Sequence, residues 1–413
     1  MASALLLLIP ILRWLLFAVI GSVWLFWATC ALYLVVLLFA AIIARRDSSP
    51  FLDPKNRFCL LIPAHNEELI LGEVLDRLQQ VEYPRDLWTV FVIADNCTDS
   101  TADVAKTHGA EPMVRNNPDE IGKGYALDWA IQQLLVDKRN FNAFLILDAD
   151  SILSPNFLHV MNRAIEKGSV AMQGYYGVLN VHDSWRTKLM AVALALAHYV
   201  KPIGRRTLGL SDGLKGNGMC FTREALTRVP WSGESVTEDI EYTLRLVDAG
   251  IRIDFLPQAI VQAQMPTTGK QATTQRQRWE GGRYGLFKRA IGSAMKFFSR
   301  GKWMQFDRSF ELIIPPFVEM FALPVVIAGA LGIWTAMRPG SPTVNLLLAG
   351  WLSVLALELV YLVGGLVVAR VPMSVASSLL FAPFYILWKI VVVIAVLLKK
   401  GTGGWNRTER RSL

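Results

Sequence analysis

The chain has 413 residues, enough for two or three domains, and carries 42 Lys plus Arg against 34 Asp plus Glu, a net charge of +8. Hydrophobic residues make up 53% and charged residues only 18%, where an average soluble domain is roughly a quarter charged. With a mean hydropathy of +0.35, this excludes a disordered chain and argues against an ordinary cytosolic enzyme.

The apolar excess sits at the two ends. Residues 4–43 are almost continuously apolar, with Arg13 the only charge. That length fits two short spans turning near Gly21-Ser22, or one firm span over 19–43 preceded by an interfacial helix. Arg13 at a bilayer centre would cost about 2.5–3.5 kcal/mol, which favours the second arrangement. The run is too long for a cleaved signal peptide, and no small-residue cleavage site follows it. Arg45-Arg46 close the run and mark the cytosolic side. Residues 1–46 are therefore expected to be an anchor of one or two helices. Residues 47–300, of ordinary composition, are expected to form a domain with its own core.

Within that domain, 57–62 is an apolar run ending at Pro63, as in a buried strand. A helix follows, with Ile70, Val74, Leu75 and Leu78 on one face. Residues 89–94 read as a second strand. Asp95-Asn96-Cys97-Thr98-Asp99-Ser100 then caps a helix that stops at Gly109. Another helix covers 124–136, and a third strand, 143–147, ends in Asp148-Ala149-Asp150. Alternating strands and helices predict an α/β domain with a parallel sheet covered on both faces. Ligands of such sheets bind beyond the carboxyl ends of the strands, where Asp95, Asp148 and Asp150 fall.

Asp95 alone could be a helix N-cap. Asp148 and Asp150 would repel each other at the end of an apolar strand, and a hard divalent cation resolves that repulsion. Thr237-Glu238-Asp239 opens a helix ending at Gly250, and there a Thr cap with two acids on the helix dipole would be a sufficient explanation. A strand is expected over 262–268. In the next helix Gln275, Arg278 and Trp279 share one face. They read either as a basic interfacial helix with a Trp anchor, or as arginine for phosphate with a flat indole for a sugar ring. Cys30, Cys59, Cys97 and Cys220 show no metal spacing or pairing pattern, and no zinc site or disulfide framework is expected.

Apolar runs return at 311–336, 343–369 and 373–398, so 301–413 is expected to hold interfacial and transmembrane helices with a basic tail. Pro315-Pro316 and Pro324 interrupt the first run. Its start, 311–324, is expected to lie on the membrane surface, leaving 325–336 too short to span. Two crossings would then return the tail to the cytosol, with Lys399, Lys400, Arg407, Arg410 and Arg411. Beside a span, this cluster reads as attraction to anionic membrane lipids, not nucleic-acid binding. Trp405 and Arg407 would lie near the mouth of the catalytic site, and the sequon Asn406-Arg407-Thr408 would stay unmodified.

These motifs, in this order, are Ile62-Pro63-Ala64-His65-Asn66-Glu67, Ala94-Asp95-Asn96-Cys97-Thr98-Asp99, Gly122-Lys123-Gly124-Tyr125-Ala126-Leu127, Asp148-Ala149-Asp150, Gly216-Asn217-Gly218, Thr237-Glu238-Asp239 and Gln275-Arg276-Gln277-Arg278-Trp279. Over residues 58–289 the chain resembles the membrane-bound inverting glycosyltransferases of family 2, which include cellulose, chitin, hyaluronan and poly-N-acetylglucosamine synthases and ceramide glucosyltransferase. The resemblance implies a GT-A-type (Rossmann-like) cytosolic domain between transmembrane helices, a UDP-sugar donor, and Mg²⁺ or Mn²⁺. It implies that Asn66 and Glu67 hold the nucleotide, that Asp95 contacts uracil or ribose, and that Lys123 lies near the diphosphate or uracil. Asp148 and Asp150 would hold the sugar and the metal. Asp239 would be the base. Glu238, Gln275, Arg278 and Trp279 would serve the diphosphate and the acceptor. The chain departs from the family at Gln264, near which a Glu is expected, and its C-terminal membrane part is short beside the large cellulose synthases.

The leading expectation is extension of a β-linked exopolysaccharide from a bacterial inner membrane. The alternative is transfer of one sugar to a membrane lipid such as a ceramide, hopanoid or diacylglycerol. Few C-terminal spans favour the lipid, because a secretion channel needs several helices. A permease or scaffold carrying an inactive enzyme domain is the third class. UDP-sugar turnover would separate it from the other two.

Overall fold

The computed structural model describes residues 2–45, 49–233 and 237–398. Its described side chains exclude those of 2–17, 270, 274, 275, 277–281, 283, 284 and 393–398. The basic tail, with Trp405 and the sequon, lies outside the described residues, as does Arg46.

The N-terminal anchor is one helix, α1 (Ala2–Ile42), whose stretch Ala18–Ile42 is long and apolar enough to cross a membrane. The domain follows. Its strands are β1 (Phe58–Ala64), β2 (Trp88–Asp95), β3 (Glu111–Arg115), β4 (Ala143–Ile146), β5 (Ser151–Leu153), β6 (Ala171–Val178), β7 (Met219–Thr222) and β8 (Ile253–Ala263). They form one sheet in the order β3-β2-β1-β4-β7-β6-β8-β5. β1 pairs in parallel with β2 and β4, so their carboxyl ends open at one edge.

The sheet is not wholly parallel, as the alternating pattern predicts. β7 runs antiparallel to β4 and β6, and β5 runs antiparallel to β8. The strand expected over 262–268 ends at Ala263, and the chain leaves the sheet there.

The domain helices are α2 (Leu71–Leu78), α3 (Thr101–Thr107), α4 (Lys123–Leu135), α5 (Phe157–Glu166), α6 (Trp185–Leu194), α7 (Lys201–Thr207), α8 (Arg223–Arg228), α9 (Glu238–Asp248) and α10 (Gly269–Phe298). α2 buries Leu71, Val74, Leu75 and Leu78, the three-and-four spacing of one helical face. One apolar cluster packs this side of the sheet. A second, with Ala126, Leu127, Ile131, Tyr242 and Leu246, packs the other.

After the domain come α11 (Trp303–Ile313), α12 (Phe317–Met337), α13 (Pro342–Val368), α14 (Met373–Ala376) and α15 (Ala382–Leu398). Phe317–Met337, Pro342–Val368 and Met373–Val392 are each long and apolar enough to cross a membrane. This corrects the expectation that 311–324 lies flat and 325–336 is too short. A separate short helix, α11, comes first, and α12 runs unbroken through Pro324. Proline cannot donate to the carbonyl four residues back, at Met320. Trp27 Nε1 of α1 donates to that oxygen at 3.1 Å instead, so a neighbouring helix satisfies the freed group. Lys389 of α15 reaches Glu319, in the first turn of α12, at 2.8 Å.

Candidate active site

The carboxyl ends of β1, β2 and β4 carry the three motif loops. Asn66 and Asn96 both have positive φ, 56° and 49°, a conformation Asn tolerates better than most residues. Their side chains tie the loops together. Asn66 Oδ1 accepts from the Thr98 amide at 2.8 Å, and Asn96 Oδ1 accepts from the Asn117 amide at 2.8 Å. Asn66 thus shapes the loop after β1, while its neighbours His65 and Glu67 line the cavity.

Asp95 is buried, and its Oδ1 accepts from Arg115 Nη1 at 2.8 Å and from Asn96 Nδ2 at 3.2 Å. It is not the cap of α3, whose N-cap position is Ser100. Asp99 Oδ1 accepts from the Thr101 amide at 3.0 Å in the first turn. The parallel register of β2 and β3 sets Asp95 directly across from Arg115. The sequence reading missed Arg115 because β3 is a largely exposed edge strand with little apolar signal.

Asp148 follows β4, and Lys123, the first residue of α4, reaches across to it. The Lys123 ammonium lies 2.5 Å from Asp148 Oδ1 and 2.5 Å from the Gly216 carbonyl. Gly216 has φ +77°, a turn geometry glycine adopts freely, and this presents its carbonyl. Burial pulls the Lys123 pKa down, but Asp148, Glu238 and Asp239 outweigh it and hold the group above its ordinary value.

Asp150 is buried, and Ser151 Oγ donates to its Oδ1 at 3.1 Å. Asn217 ties this turn to the β7 side, accepting from the Asp148 amide at 3.2 Å and donating to Ser151 Oγ at 2.8 Å. Among the described residues no group of three or more His, Cys, Asp or Glu could hold a metal by itself. Two hard carboxylates on one turn fit Mg²⁺ or Mn²⁺ when phosphate oxygens complete the shell.

Glu238 and Asp239 open α9 on the opposite wall. Thr237 holds the N-cap position without a side-chain cap bond. Asp239 Oδ1 instead accepts from the Ile240 amide at 2.8 Å, so Asp239 anchors the helix end and also faces the cavity. Burial raises the pKa of both acids, and Asp239 pushes Glu238 further. Gln275, Arg278 and Trp279 lie on α10. Their side chains lie outside the described residues.

One cavity of about 760 Å³ joins these parts. Glu67, Asp95, Lys123, Asp148, Asp150, Glu238 and Asp239 all line it. It continues past α6 and α7 to Met320, Phe321, Leu362, Leu379 and Ile386 on the membrane-side helices.

Residues 54–282 match the family model of glycosyltransferase like family 2. Related proteins include a probable glycosyltransferase, YdaM, of Bacillus subtilis, 26% identical over 237 residues, covering 55% of this chain and 56% of that protein. They also include a beta-monoglucosyldiacylglycerol synthase of Nostoc sp., 29% identical over 231 residues, covering 54% and 48%. The chain thus spans about half the length of the curated relatives it matches. Among solved structures, the mannosyltransferase PcManGT of Pyrobaculum calidifontis, in complex with GDP-Man and Mn²⁺, superposes with a TM-score of 0.51 at 19% identity. That match covers 83% of this chain and 98% of the other, and the likeness is one of fold. With the family model matched over more than half its length, the chain belongs to glycosyltransferase family 2, and its α/β domain has the GT-A fold.

Proposed function

We propose that the protein is an integral-membrane inverting glycosyltransferase that moves one sugar from a UDP-sugar to the hydroxyl of a membrane lipid. The observation that carries this reading is the single cavity reaching from Asp148 and Asp239 to apolar side chains of α12, α13 and α15. Leu362, Leu379, Ile386 and Met320 suit acyl chains. This reverses the order expected from sequence, where polysaccharide extension led. The lipid product named for the Nostoc relative agrees with it.

In this reading the acceptor hydroxyl attacks the anomeric carbon, the bond from that carbon to the phosphate oxygen breaks, and UDP leaves. Asp239 takes the hydroxyl proton, and burial, which raises its pKa, makes it a stronger base than a free carboxylate. Asp148 and Asp150 would hold Mg²⁺ or Mn²⁺, which when bound would neutralise charge on the leaving diphosphate. Lys123 adds a cation at the same place. Arg278 and Trp279 close over the diphosphate and the acceptor, and Glu67 and Asp95 line the nucleotide side. One base without a second nucleophile means a single displacement, so an α-linked donor gives a β-linkage. The domain faces the cytosol, where nucleotide sugars are made.

The test supplies purified full-length protein with radiolabelled UDP-sugars and diacylglycerol or ceramide. Label should move into the chloroform-extractable fraction. Ala382→Trp, which fills the lipid end of the cavity, should raise the KM for lipid by about tenfold or more, a loss of some 1.4 kcal/mol, with UDP affinity unchanged. Label in a water-soluble polymer, with Ala382→Trp silent, would overturn the reading.

A further inference from the structure

His198 lines the cavity, and the reaction above does not use it. It sits in the π-helical turn Ala195–Val200 that joins α6 to α7. Such turns are rare and recur at functional sites. Here α13 braces the turn. Tyr361 Oη donates to the Leu196 carbonyl at 3.1 Å. Gly365, one turn further along α13, leaves no room for a side chain beside Leu196.

The half-buried imidazole ring is held in two ways. It stacks on Tyr176, with ring centroids 5.6 Å apart and planes 23° apart. Its Nδ1 lies 3.2 Å from the Tyr176 carbonyl oxygen. A carbonyl only accepts, so Nδ1 carries a proton. Loss of water around the ring first, and nearby Lys215 next, pull the His198 pKa down to about 3, and Lys201 and Arg276 push the same way. The ring is therefore neutral, and Nε2 is an acceptor. It is also too weak a base to take the proton of a sugar acceptor. Among the described residues Nε2 has no hydrogen-bond partner, and unlike Nδ1 of His159 it is not sealed from the surface.

The place is on the acceptor side. Lys215 acts electrostatically on both His198 and Asp239. Leu194 and Leu196, close in sequence to His198, line the cavity together with Leu362 and Leu379. The hydroxyl that reacts has one proton, and Asp239 takes it. Whatever satisfies His198 Nε2 is a second donor.

We propose that His198 Nε2 accepts a hydrogen bond from a second donor on the acceptor lipid, a hydroxyl or an amide N–H close to the hydroxyl that reacts. The inference rests on the lipid-acceptor reading and narrows it to lipids whose polar end carries two donors. A glycerolipid with one free hydroxyl leaves Nε2 unmatched, which is how a polar site rejects an analogue.

Purified full-length protein is given radiolabelled UDP-sugars with each of four lipids: ceramide, ceramide without its 3-hydroxyl, ceramide with a methylated amide, and diacylglycerol. kcat/KM is measured for each. Ceramide should exceed diacylglycerol and at least one of its two analogues by about tenfold or more, and the analogue that fails names the donor as hydroxyl or amide. His198→Phe keeps a stacked ring without an acceptor and should bring these lipids level. His198→Gln offers an amide oxygen in place of Nε2 and should restore the preference. A ratio between lipids within one protein does not change when part of that protein is unfolded, so a merely structural role for His198 would leave it unmoved. Equal use of ceramide and both analogues by the unsubstituted protein, the same ratios in His198→Phe, or diacylglycerol preferred over ceramide would overturn the inference and leave the lipid-acceptor reading standing. UDP-sugar turnover with no label in any lipid would overturn the reading on which the inference rests.

Discussion

The Lys123 ammonium sits 2.5 Å from Asp148 Oδ1, on the same turn as buried Asp150. A fixed cation thus neutralises one of the two carboxylates before any donor arrives, and a UDP-sugar brings the oxygens that compete for both. Asp150→Ala should therefore abolish transfer and weaken UDP binding, and excess chelator should do the same to the unsubstituted protein. Calorimetric UDP titration with and without Mg²⁺ checks this. Full activity in chelator would remove the metal from the account.

Asp239 should be the base as well as an anchor of α9. Asn caps helices about as well as Asp, so Asp239→Asn should fold and bind UDP normally while transfer falls at least about a hundredfold. The pH profile carries a sign. The Asp239 pKa is raised by burial, and the base works only when ionised. Activity should rise with pH along a limb above the ordinary carboxylate range. Glu238 lies beside it and is raised by burial and by Asp239, so the limb belongs to the pair. Glu238→Gln removes a like charge and should move the limb to lower pH. An unmoved limb would mean the two acids do not share a site.

Much of this site could be read before the structure. Asp148-Ala149-Asp150 follows a strand that is apolar at every position, and a buried strand ending in acids is conspicuous. β1 and β2 were legible for the same reason, and α2 through its three-and-four spacing. The antiparallel strands were not. β7 is a four-residue strand whose pairing with β4 depends on distant chain. Arg115 gains its meaning only from a long-range partner, Asp95, which no local pattern displays. Pro324 misled because its helix-breaking cost was counted without Trp27, which satisfies the freed carbonyl.

That last contact yields a prediction of its own. Trp27→Phe keeps the ring but removes the donor to Met320, leaving a carbonyl unsatisfied among apolar helices. The loss should be about 1–3 kcal/mol, read as a lower thermal midpoint in detergent. An unchanged midpoint would mean that Pro324 is tolerated for another reason.

Topology can be tested at the turn between α12 and α13. If α12 crosses the membrane, a cysteine placed at Ser341 should be labelled in intact cells by an impermeant thiol reagent. The native Cys30, Cys59 and Cys220 are buried and should stay silent. Labelling only after the cells are opened would return α12 to the surface of the membrane, as the prolines first implied.

The central claim is a single displacement onto a lipid hydroxyl with Asp239 as the only base. The most direct measurement is the proton NMR coupling at the anomeric centre of the lipid product formed from an α-linked UDP-sugar. The account predicts one sugar per lipid with the large coupling of a β-gluco linkage. An α-linked product would require a second nucleophile and would contradict it.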